Sequence, residues 1–161
     1  CDHEAIIVPQ GGAREPITMD SLLYKNIEVN IERKGLHLAM KGLDVFNFSL
    51  KKVSPNVEDL IRKSVLSSSE IDYFVFHQAN RLILESISKK LKINTSKVPT
   101  SLKDYGNTSG ATIPLTIVSN LRRENTIIDS KMVLSGFGVG LSLASAVVDF
   151  KNVVSPEICE L

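Results

Sequence analysis

The sequence predicts a single α/β domain, and three features indicate this fold class. Runs of β-favouring residues, such as 73–76, alternate with segments whose apolar residues recur at helical spacing, such as 82–91. The predicted order is strand, strand, helix, strand, helix, helix, strand, strand, which is typical of helices packed on a sheet. The last two strands, 131–136 and 141–150, flank a short glycine-rich turn and should form an antiparallel hairpin.

The first forty residues contain two strand signals separated by an irregular stretch. Residues 5–8 form a short apolar run that Pro9 ends, because proline cannot donate to a strand ladder. Residues 13–33 show no clean period and predict a long, partly irregular excursion. Residues 35–40 alternate as a strand does, which places three apolar side chains on one face: Leu36, Leu38 and Met40.

Helical signals dominate the middle of the chain. Apolar residues recur at helical spacing from Leu43, and Pro55 fits the first turn of a second helix with Ser54 as its N-cap. Asn80 can open the helix that follows strand 73–76. A further helix is predicted over about 111–123, with a proline in its first turn.

Composition excludes several classes of protein. With 161 residues, 43% of them apolar and a net charge of +1, the chain should bury a core and gives no reason to propose nucleic acid or a membrane as a partner. Cys1 and Cys159 stand at opposite ends, which is neither a disulfide framework nor a metal-binding pattern, so we expect a cytoplasmic protein without a bound metal. The chain begins without methionine and runs directly into a strand, which indicates a piece of a longer protein. Residues 150–161 are predicted to be a tail.

Two polar turns are candidates for chemistry. Strand 73–76 runs directly into His77, and the turn 104–110 contains Asn107 ahead of an apolar helical run. Sites in α/β folds are usually built at such strand ends. The sequence has no serine in a nucleophile elbow, and the glycine turn 136–140 is followed by a strand instead of a phosphate-binding helix. On these grounds His77 and Asn107 are candidates to donate paired hydrogen bonds to one developing oxyanion.

Three motifs in this order resemble a known family. They are FHQAN at 76–80, YGNTSGATIP at 105–114 and GFGVG at 136–140, and the likeness extends upstream to LHLAMKG at 36–42. Together they resemble the C-terminal half of β-ketoacyl-acyl carrier protein synthase III, a condensing enzyme with the thiolase fold. The resemblance implies a thiolase-like half in which helices pack on a mixed five-stranded sheet that ends in an antiparallel hairpin.

The resemblance also implies an activity and two catalytic residues. That family starts fatty acid synthesis by decarboxylative Claisen condensation of an acyl group with malonyl-acyl carrier protein, using a Cys, a His and an Asn. The match places the His at His77 and the Asn at Asn107, where two neutral N–H donors would stabilise the malonyl-derived enolate. No tightly bound cofactor is implied, and coenzyme A or phosphopantetheine thioesters would be the substrates.

Further positions are carried over from the family pattern. The backbone at Gly138 and Val139 matches the oxyanion donor of the condensation step. Six residues match the pantetheine tunnel and acyl pocket: Leu38, Met40, Gly42, Ala79, Asn80 and Phe137. Three basic residues are candidates for contact with the acyl carrier protein: Arg81, Lys89 and Lys90.

The sequence departs from the family in two respects. The nucleophilic cysteine belongs to the family's N-terminal half, and neither Cys1 nor Cys159 has its small-residue, helix-start setting. We therefore expect this chain to be a C-terminal half that is inactive alone, with the missing N-terminal half, acyl-CoA and acyl carrier protein as partners and a homodimer as the assembly. Family members often carry an arginine two residues after the HQAN asparagine; here Leu82 stands there and Arg81 comes one residue earlier.

Two alternatives stay open at this point. A related condensing enzyme of secondary metabolism would keep the same His and Asn. A non-catalytic half that serves assembly or carrier-protein binding would keep the fold and the basic residues without the chemistry. Chalcone-synthase-like and hydroxymethylglutaryl-CoA-synthase-like enzymes share the fold but fit the HQAN motif less well.

Overall fold

The computed structural model of the chain describes residues 3–121 and 127–159. These residues fall into two compact units. The first comprises Cys1–Phe46 with Gly138–Ser142, and the second comprises Asn47–Phe137 with Leu143–Leu161. The two candidate catalytic residues both lie in the second unit.

The first unit contains two small antiparallel sheets. Strand β1 (Ile6–Ile7) pairs with β4 (Ala39–Met40), and β2 (Lys25–Glu28) pairs with β3 (Ile31–Arg33). The β2–β3 hairpin lies inside the stretch that the sequence indicated to be irregular, and Asn30 in its turn has a φ of 64°. Asparagine tolerates this left-handed conformation better than most residues, which suits it to a tight turn.

The predicted five-stranded mixed sheet is wrong. Within residues 3–121 and 127–159 the strands form three separate sheets, of two, two and three strands. β1 and β4 each have only two residues, because Pro9 follows β1 closely and residues 35–37 form a turn instead of continuing the strand. In this turn the His37 N–H donates to the Lys34 carbonyl at 3.1 Å, and Leu38 and Met40 after it are exposed.

A continuous helical run joins α1 (Gly42–Phe48), a π-helical turn (Ser49–Val53) and α2 (Ser54–Lys63). The predicted N-cap at Ser54 is wrong, whereas Pro55 lies in the first turn of α2 as predicted. Ser54 has helical backbone angles, φ −60° and ψ −49°. Its hydroxyl is buried and has no hydrogen-bond partner in the described chain. Pro55 is accommodated in the first turn of α2, directly after the change of helical register.

The π-helical turn exposes one carbonyl that a lysine then satisfies. In the π register the carbonyl of Leu50 would accept the N–H of residue 55, which is a proline and has none. The ammonium of Lys90 donates to the Leu50 carbonyl oxygen at 2.7 Å. Lys90 thus has a structural contact of its own, which joins α3 (Arg81–Lys90) to this helical run.

The second unit is built on the three-stranded sheet β5–β6–β7. β5 (Tyr73–Phe76) runs parallel to β6 (Ile127–Gly138), with Phe76 opposite Ser135. β7 (Ser142–Val154) follows β6 after three residues, a connection too short for anything but an antiparallel hairpin. The hydroxyls of Ser135 and Ser145 hydrogen-bond across the two strands at 2.8 Å. The predicted terminal hairpin is confirmed, and β7 extends four residues beyond the predicted end at Phe150.

Helices follow β5 along the chain, and the last of them packs against β5 and β6. Asn80 caps α3 as predicted, its side-chain oxygen accepting the Ile83 N–H at 2.9 Å. α4 (Leu102–Tyr105) is a single turn, and α5 (Thr112–Asn120) carries Pro114 in its first turn. Arg123 at the predicted end of that helix lies outside the described residues. One buried cluster joins α5 to β5 and β6: Val75, Ile117, Leu121, Ile128 and Met132.

Candidate functional site

His77 stands at the carboxyl end of β5, where the sequence placed it. Its backbone N–H donates to the Ser135 carbonyl at 2.9 Å, so the ladder between β5 and β6 holds its main chain. The preceding residue, Phe76, is fully buried, whereas the imidazole is partly exposed. The strand therefore delivers the ring to the edge of the core, where it can be both held by the protein and reached by a substrate.

Two neighbours orient the imidazole. The Nδ1 atom of His77 lies 2.7 Å from the Oγ1 atom of Thr112, the first residue of α5. The ring also meets Phe137 edge to face, with centroids 5.4 Å apart and an interplanar angle of 88°. Phe137 is buried, so it is a rigid wall. With Nδ1 engaged, Nε2 is the nitrogen left for a ligand.

The protein environment keeps this ring neutral. Burial lowers the pKa of the His77 imidazole below its usual value of 6.5, and a backbone contact with Ser109 offsets the shift in part. Desolvation disfavours the imidazolium, because a charge loses more hydration than a neutral ring does. Near neutral pH the ring is thus a neutral hydrogen-bonding group.

The lowered pKa predicts a pH dependence of stability. The unfolded state binds a proton below about pH 6.5 more readily than the folded state does, so the free energy of unfolding falls as pH drops from the usual histidine pKa toward the lowered one. Urea unfolding at about pH 7.5 and about pH 5.5 measures this change. His77→Gln is expected to reduce it, and an identical pH dependence in the variant would contradict the assignment.

Asn107 lies in a loop with unusual backbone geometry. Gly106, just before it, has a φ of 66°, and Ser109, two residues after it, has a φ of 54° although it is not glycine. The Asn107 side-chain oxygen accepts the Ser109 N–H at 2.9 Å. Because the oxygen is engaged, the amide nitrogen with its two N–H donors is the part of the exposed side chain left to bind a ligand.

Hydrogen bonds connect Asn107 to His77 through two intermediate residues. Ser109 donates its N–H to Asn107, and its carbonyl oxygen lies 2.9 Å from the Thr112 hydroxyl. That hydroxyl is in turn 2.7 Å from His77 Nδ1. The 107–112 segment thus brings the two predicted residues into one hydrogen-bonded unit.

Gln78 is a residue of this site that sequence reasoning missed. It is fully buried next to His77, and its amide nitrogen donates to the Phe76 carbonyl at 2.8 Å. Its side-chain oxygen accepts the Thr100 hydroxyl at 2.9 Å and the Ser101 N–H at 3.1 Å. The signal available was an uncharged polar residue near the end of a buried strand. Its partners Thr100 and Ser101 lie over twenty positions downstream and leave no local pattern.

Replacing Gln78 should destabilise the second unit. Gln78→Leu has a similar volume but leaves the buried Ser101 N–H and the Phe76 carbonyl unpaired, so we expect a loss of about 2–4 kcal/mol in the free energy of unfolding. Urea denaturation measures it. Thr100→Val removes only one of the three bonds and should cost about 1 kcal/mol. Equal costs for the two variants would show that the amide does not hold these segments together.

The other residues matched to the family pattern have varied settings. Ala79 donates its N–H to the His77 carbonyl at 3.0 Å, and Asn80 caps α3 while remaining exposed. Gly42 is exposed at the start of α1.

At the β6–β7 turn, Val139 is exposed and its carbonyl accepts the Ser142 hydroxyl at 2.7 Å. Gly140 beside it has a φ of 133°, and an added Cβ would lie 2.9 Å from the Ser142 nitrogen, so glycine is needed there.

The candidate carrier-protein contacts lie on α3. Lys89 is exposed, the Lys90 ammonium donates to Leu50, and Arg81 pairs with Glu85 at 2.6 Å one turn along the helix. A largely apolar groove of about 580 Å³ lies beside Arg81 and Glu85. Its other lining residues come from α3 and the segment before and within α4: Leu84, Ser88, Thr95, Val98, Thr100, Leu102 and Lys103.

Residues 3–121 and 127–159 contain neither a metal-binding cluster nor a membrane-spanning helix. In these ranges no three His, Cys, Asp or Glu side chains are grouped so that they could hold a metal ion. None of their helices combines the length and the hydrophobicity that crossing a membrane requires. Cys159 is a free, exposed cysteine, and Cys1 lies outside the described residues.

Comparison with known proteins relates the chain to one family. Residues 61–150 match the family model described as 3-oxoacyl-[acyl-carrier-protein (ACP)] synthase III C terminal. The β-ketoacyl-[acyl-carrier-protein] synthase III of Lactococcus lactis subsp. cremoris (strain SK11) is 35% identical over 122 residues, which cover 74% of this chain and 38% of that protein. That of Acaryochloris marina is 32% identical over 153 residues, covering 94% of this chain and 44% of that protein.

Solved structures show the same relationship. A 3-oxoacyl-(acyl-carrier-protein) synthase III crystal structure superimposes with a TM-score of 0.84 at 36% identity, covering 92% of this chain and 44% of the other. The 3-oxoacyl-(acyl-carrier protein) synthase of Burkholderia xenovorans LB400 also gives 0.84, at 31% identity, covering 97% of this chain and 43% of the other. The chain spans less than half the length of these relatives. It belongs to the family formed by the C-terminal domain of 3-oxoacyl-[acyl-carrier-protein] synthase III.

Proposed function

We propose that this chain supplies the enolate-stabilising half of a β-ketoacyl synthase III active site. Loss of carbon dioxide from a malonyl thioester breaks a carbon–carbon bond, and its electron pair moves onto the thioester oxygen. Nε2 of His77 and the amide nitrogen of Asn107 would donate hydrogen bonds to that oxygen. The enolate carbon then attacks the acyl thioester on the cysteine of the other half, and the cysteine leaves as a thiolate.

The observation that carries this proposal is the hydrogen-bonded path from Asn107 through Ser109 and Thr112 to His77. It engages the Asn107 oxygen and the His77 Nδ1 atom, so that the remaining nitrogen of each side chain is available to a substrate. The lowered pKa of His77 supports the same role, because a neutral ring can donate a hydrogen bond to the enolate oxygen and is too weak an acid to transfer its proton to it.

The substrates proposed are malonyl-acyl carrier protein and an acyl-CoA, both thioesters of phosphopantetheine. On the family pattern, Gly42, Ala79, Asn80 and Phe137 would line the pantetheine tunnel, and Leu38 and Met40 would belong to the region near the acyl pocket. Backbone donors at Gly138 and Val139 would serve the condensation step, and Arg81, Lys89 and Lys90 the acidic carrier protein. A homodimeric assembly is proposed on the family pattern alone.

The direct test pairs the chain with a cysteine-bearing N-terminal half from the family. Release of carbon dioxide from malonyl-acyl carrier protein is measured for the paired enzyme, for each half and for a pair that carries His77→Ala with Asn107→Ala. We expect only the wild-type pair to release carbon dioxide, and neither half by itself nor the double-variant pair. A folded pair that binds carrier protein but decarboxylates no faster than the double variant would instead establish a non-catalytic binding module.

A further inference from the structure

Thr112 occupies a position from which it can control the proton on His77. Its side chain is 1% exposed, and its Oγ1 atom lies 2.7 Å from Nδ1 of the imidazole. A neutral imidazole carries one ring proton, and the partner of one nitrogen decides which nitrogen holds it. The proposed donation from Nε2 to an enolate is available only when Nδ1 is unprotonated.

Two acceptors compete for the hydroxyl proton of Thr112. One is His77 Nδ1 at 2.7 Å, and the other is the Ser109 carbonyl oxygen at 2.9 Å. The Ser109 carbonyl already accepts the backbone N–H of Thr112 itself, at the start of α5. It is therefore satisfied without the hydroxyl, whereas an unprotonated Nδ1 facing this side has the hydroxyl as its donor.

The hydroxyl itself is held by the helix. The Thr112 carbonyl accepts the hydroxyl of Thr116, one turn later, at 2.7 Å. The Thr116 hydroxyl oxygen also lies 2.8 Å from the buried Ser101 hydroxyl. The backbone of the first turn of α5 is thus fixed on its buried side. Threonine has two favoured rotamers in a helix, and the one adopted here places Oγ1 within hydrogen-bond distance of both the ring and the Ser109 carbonyl.

We propose that Thr112 is a positioning residue that donates its hydroxyl hydrogen to Nδ1 of His77 and so keeps the ring proton on Nε2. This inference rests on the proposed function, in which Nε2 is the donor to the substrate oxygen. It assigns Thr112 no contact with substrate. The residue acts by selecting the tautomer that can donate.

Removing the hydroxyl should reverse the tautomer. In Thr112→Val the Ser109 carbonyl remains beside the ring, and a carbonyl accepts but cannot donate. The ring proton should then move to Nδ1, where the carbonyl can accept it, and Nε2 becomes an acceptor. Thr112→Ser keeps the hydroxyl and should keep the wild-type tautomer.

The test measures the ring-nitrogen chemical shifts of His77 by NMR, on the 161-residue chain with isotope-labelled histidine at a pH above 6.5, the usual histidine pKa. His77→Gln identifies the resonances. We expect a protonated Nε2 in the wild-type and Thr112→Ser proteins, and a protonated Nδ1 in Thr112→Val. Thr116→Val removes a comparable buried hydroxyl without touching the ring and should leave the wild-type pattern. A wild-type ring protonated on Nδ1, or a pattern unchanged in Thr112→Val, would overturn the proposal.

The wild-type spectrum decides the tautomer even if Thr112→Val does not fold. In the paired enzyme Thr112→Val should lower kcat for decarboxylation by about tenfold to a hundredfold, with KM little changed and Thr112→Ser close to wild type. A tautomer that shifts while the rate of decarboxylation stays the same would refute the proposed function and leave this inference standing. If the rate depends on His77 but the tautomer is the same in Thr112→Val, the proposed function stands and this inference is refuted.

Discussion

His77→Ala is expected to lower the rate of malonyl decarboxylation by the paired enzyme by about 10²–10³-fold. The imidazole is one of two neutral donors proposed for the enolate oxygen, and a donor that acts mainly on the developing charge contributes to kcat more than to substrate binding. The change also removes the edge contact with Phe137 and the hydrogen bond to Thr112. The cost should nevertheless fall mainly on the chemical step, because the His77 backbone stays in the β5–β6 ladder.

The measurement is kcat and KM for decarboxylation, with urea unfolding of each variant as a check on folding. His37→Ala is the matched control, since it removes an exposed imidazole of the first unit whose ring lies edge-on to Tyr24. It should keep the wild-type rate. If both alanine variants had similar rates, His77 would not be the donor, however well the chain matches the family.

The position of His77 was predictable from local signals because a short, strongly apolar strand has few alternatives. Residues 73–76 contain only β-favouring side chains, and three of them are buried in the structure. A polar residue at the end of such a strand must emerge at the sheet edge. The same reasoning placed the Asn80 cap and the terminal hairpin correctly, since each depends on contacts within a few residues of the chain.

The sheet arrangement was not predictable in this way. Which strands pair depends on contacts between distant segments, and the alternation of 35–40 did not reveal that residues 35–37 form a turn and that only Ala39 and Met40 join a strand. The continuity of the helical run through Pro55 was not predicted, for a related reason. A proline normally signals a helix start, but the π-helical turn and the remote ammonium of Lys90 remove the cost that this rule assumes.

The network around the site was the hardest part to foresee. Thr112 and Thr116 are four residues apart and so share a helix face, but the pattern does not reveal that this face is buried or that it meets His77. Gln78, Ser101 and Thr116 are polar yet nearly inaccessible, which a hydrophobicity pattern assigns to the surface. Their burial is tolerated because they bond to one another or to nearby backbone groups.

Asn107 offers the second large effect, and the chain contains a close internal match for it. Asn107 accepts the N–H of Ser109 at 2.9 Å. In a separate turn with the same spacing, Asn94 accepts the N–H of Ser96 at 3.0 Å. Both asparagines are exposed. Alanine at either position removes the same local hydrogen bond and should cost about 0.5–1.5 kcal/mol in the free energy of unfolding.

Only Asn107→Ala should impair decarboxylation, by about 10²-fold in kcat, because only that amide nitrogen is proposed to reach the enolate oxygen. Asn107→Asp separates the two functions of the side chain more sharply. An aspartate oxygen still accepts the Ser109 N–H and preserves the turn, but the donor nitrogen is replaced by an oxygen that repels the enolate. We therefore expect Asn107→Asp to be at least as impaired as Asn107→Ala while unfolding like the wild type. An aspartate variant with wild-type kcat would mean that Asn107 shapes the loop and donates nothing to the reaction.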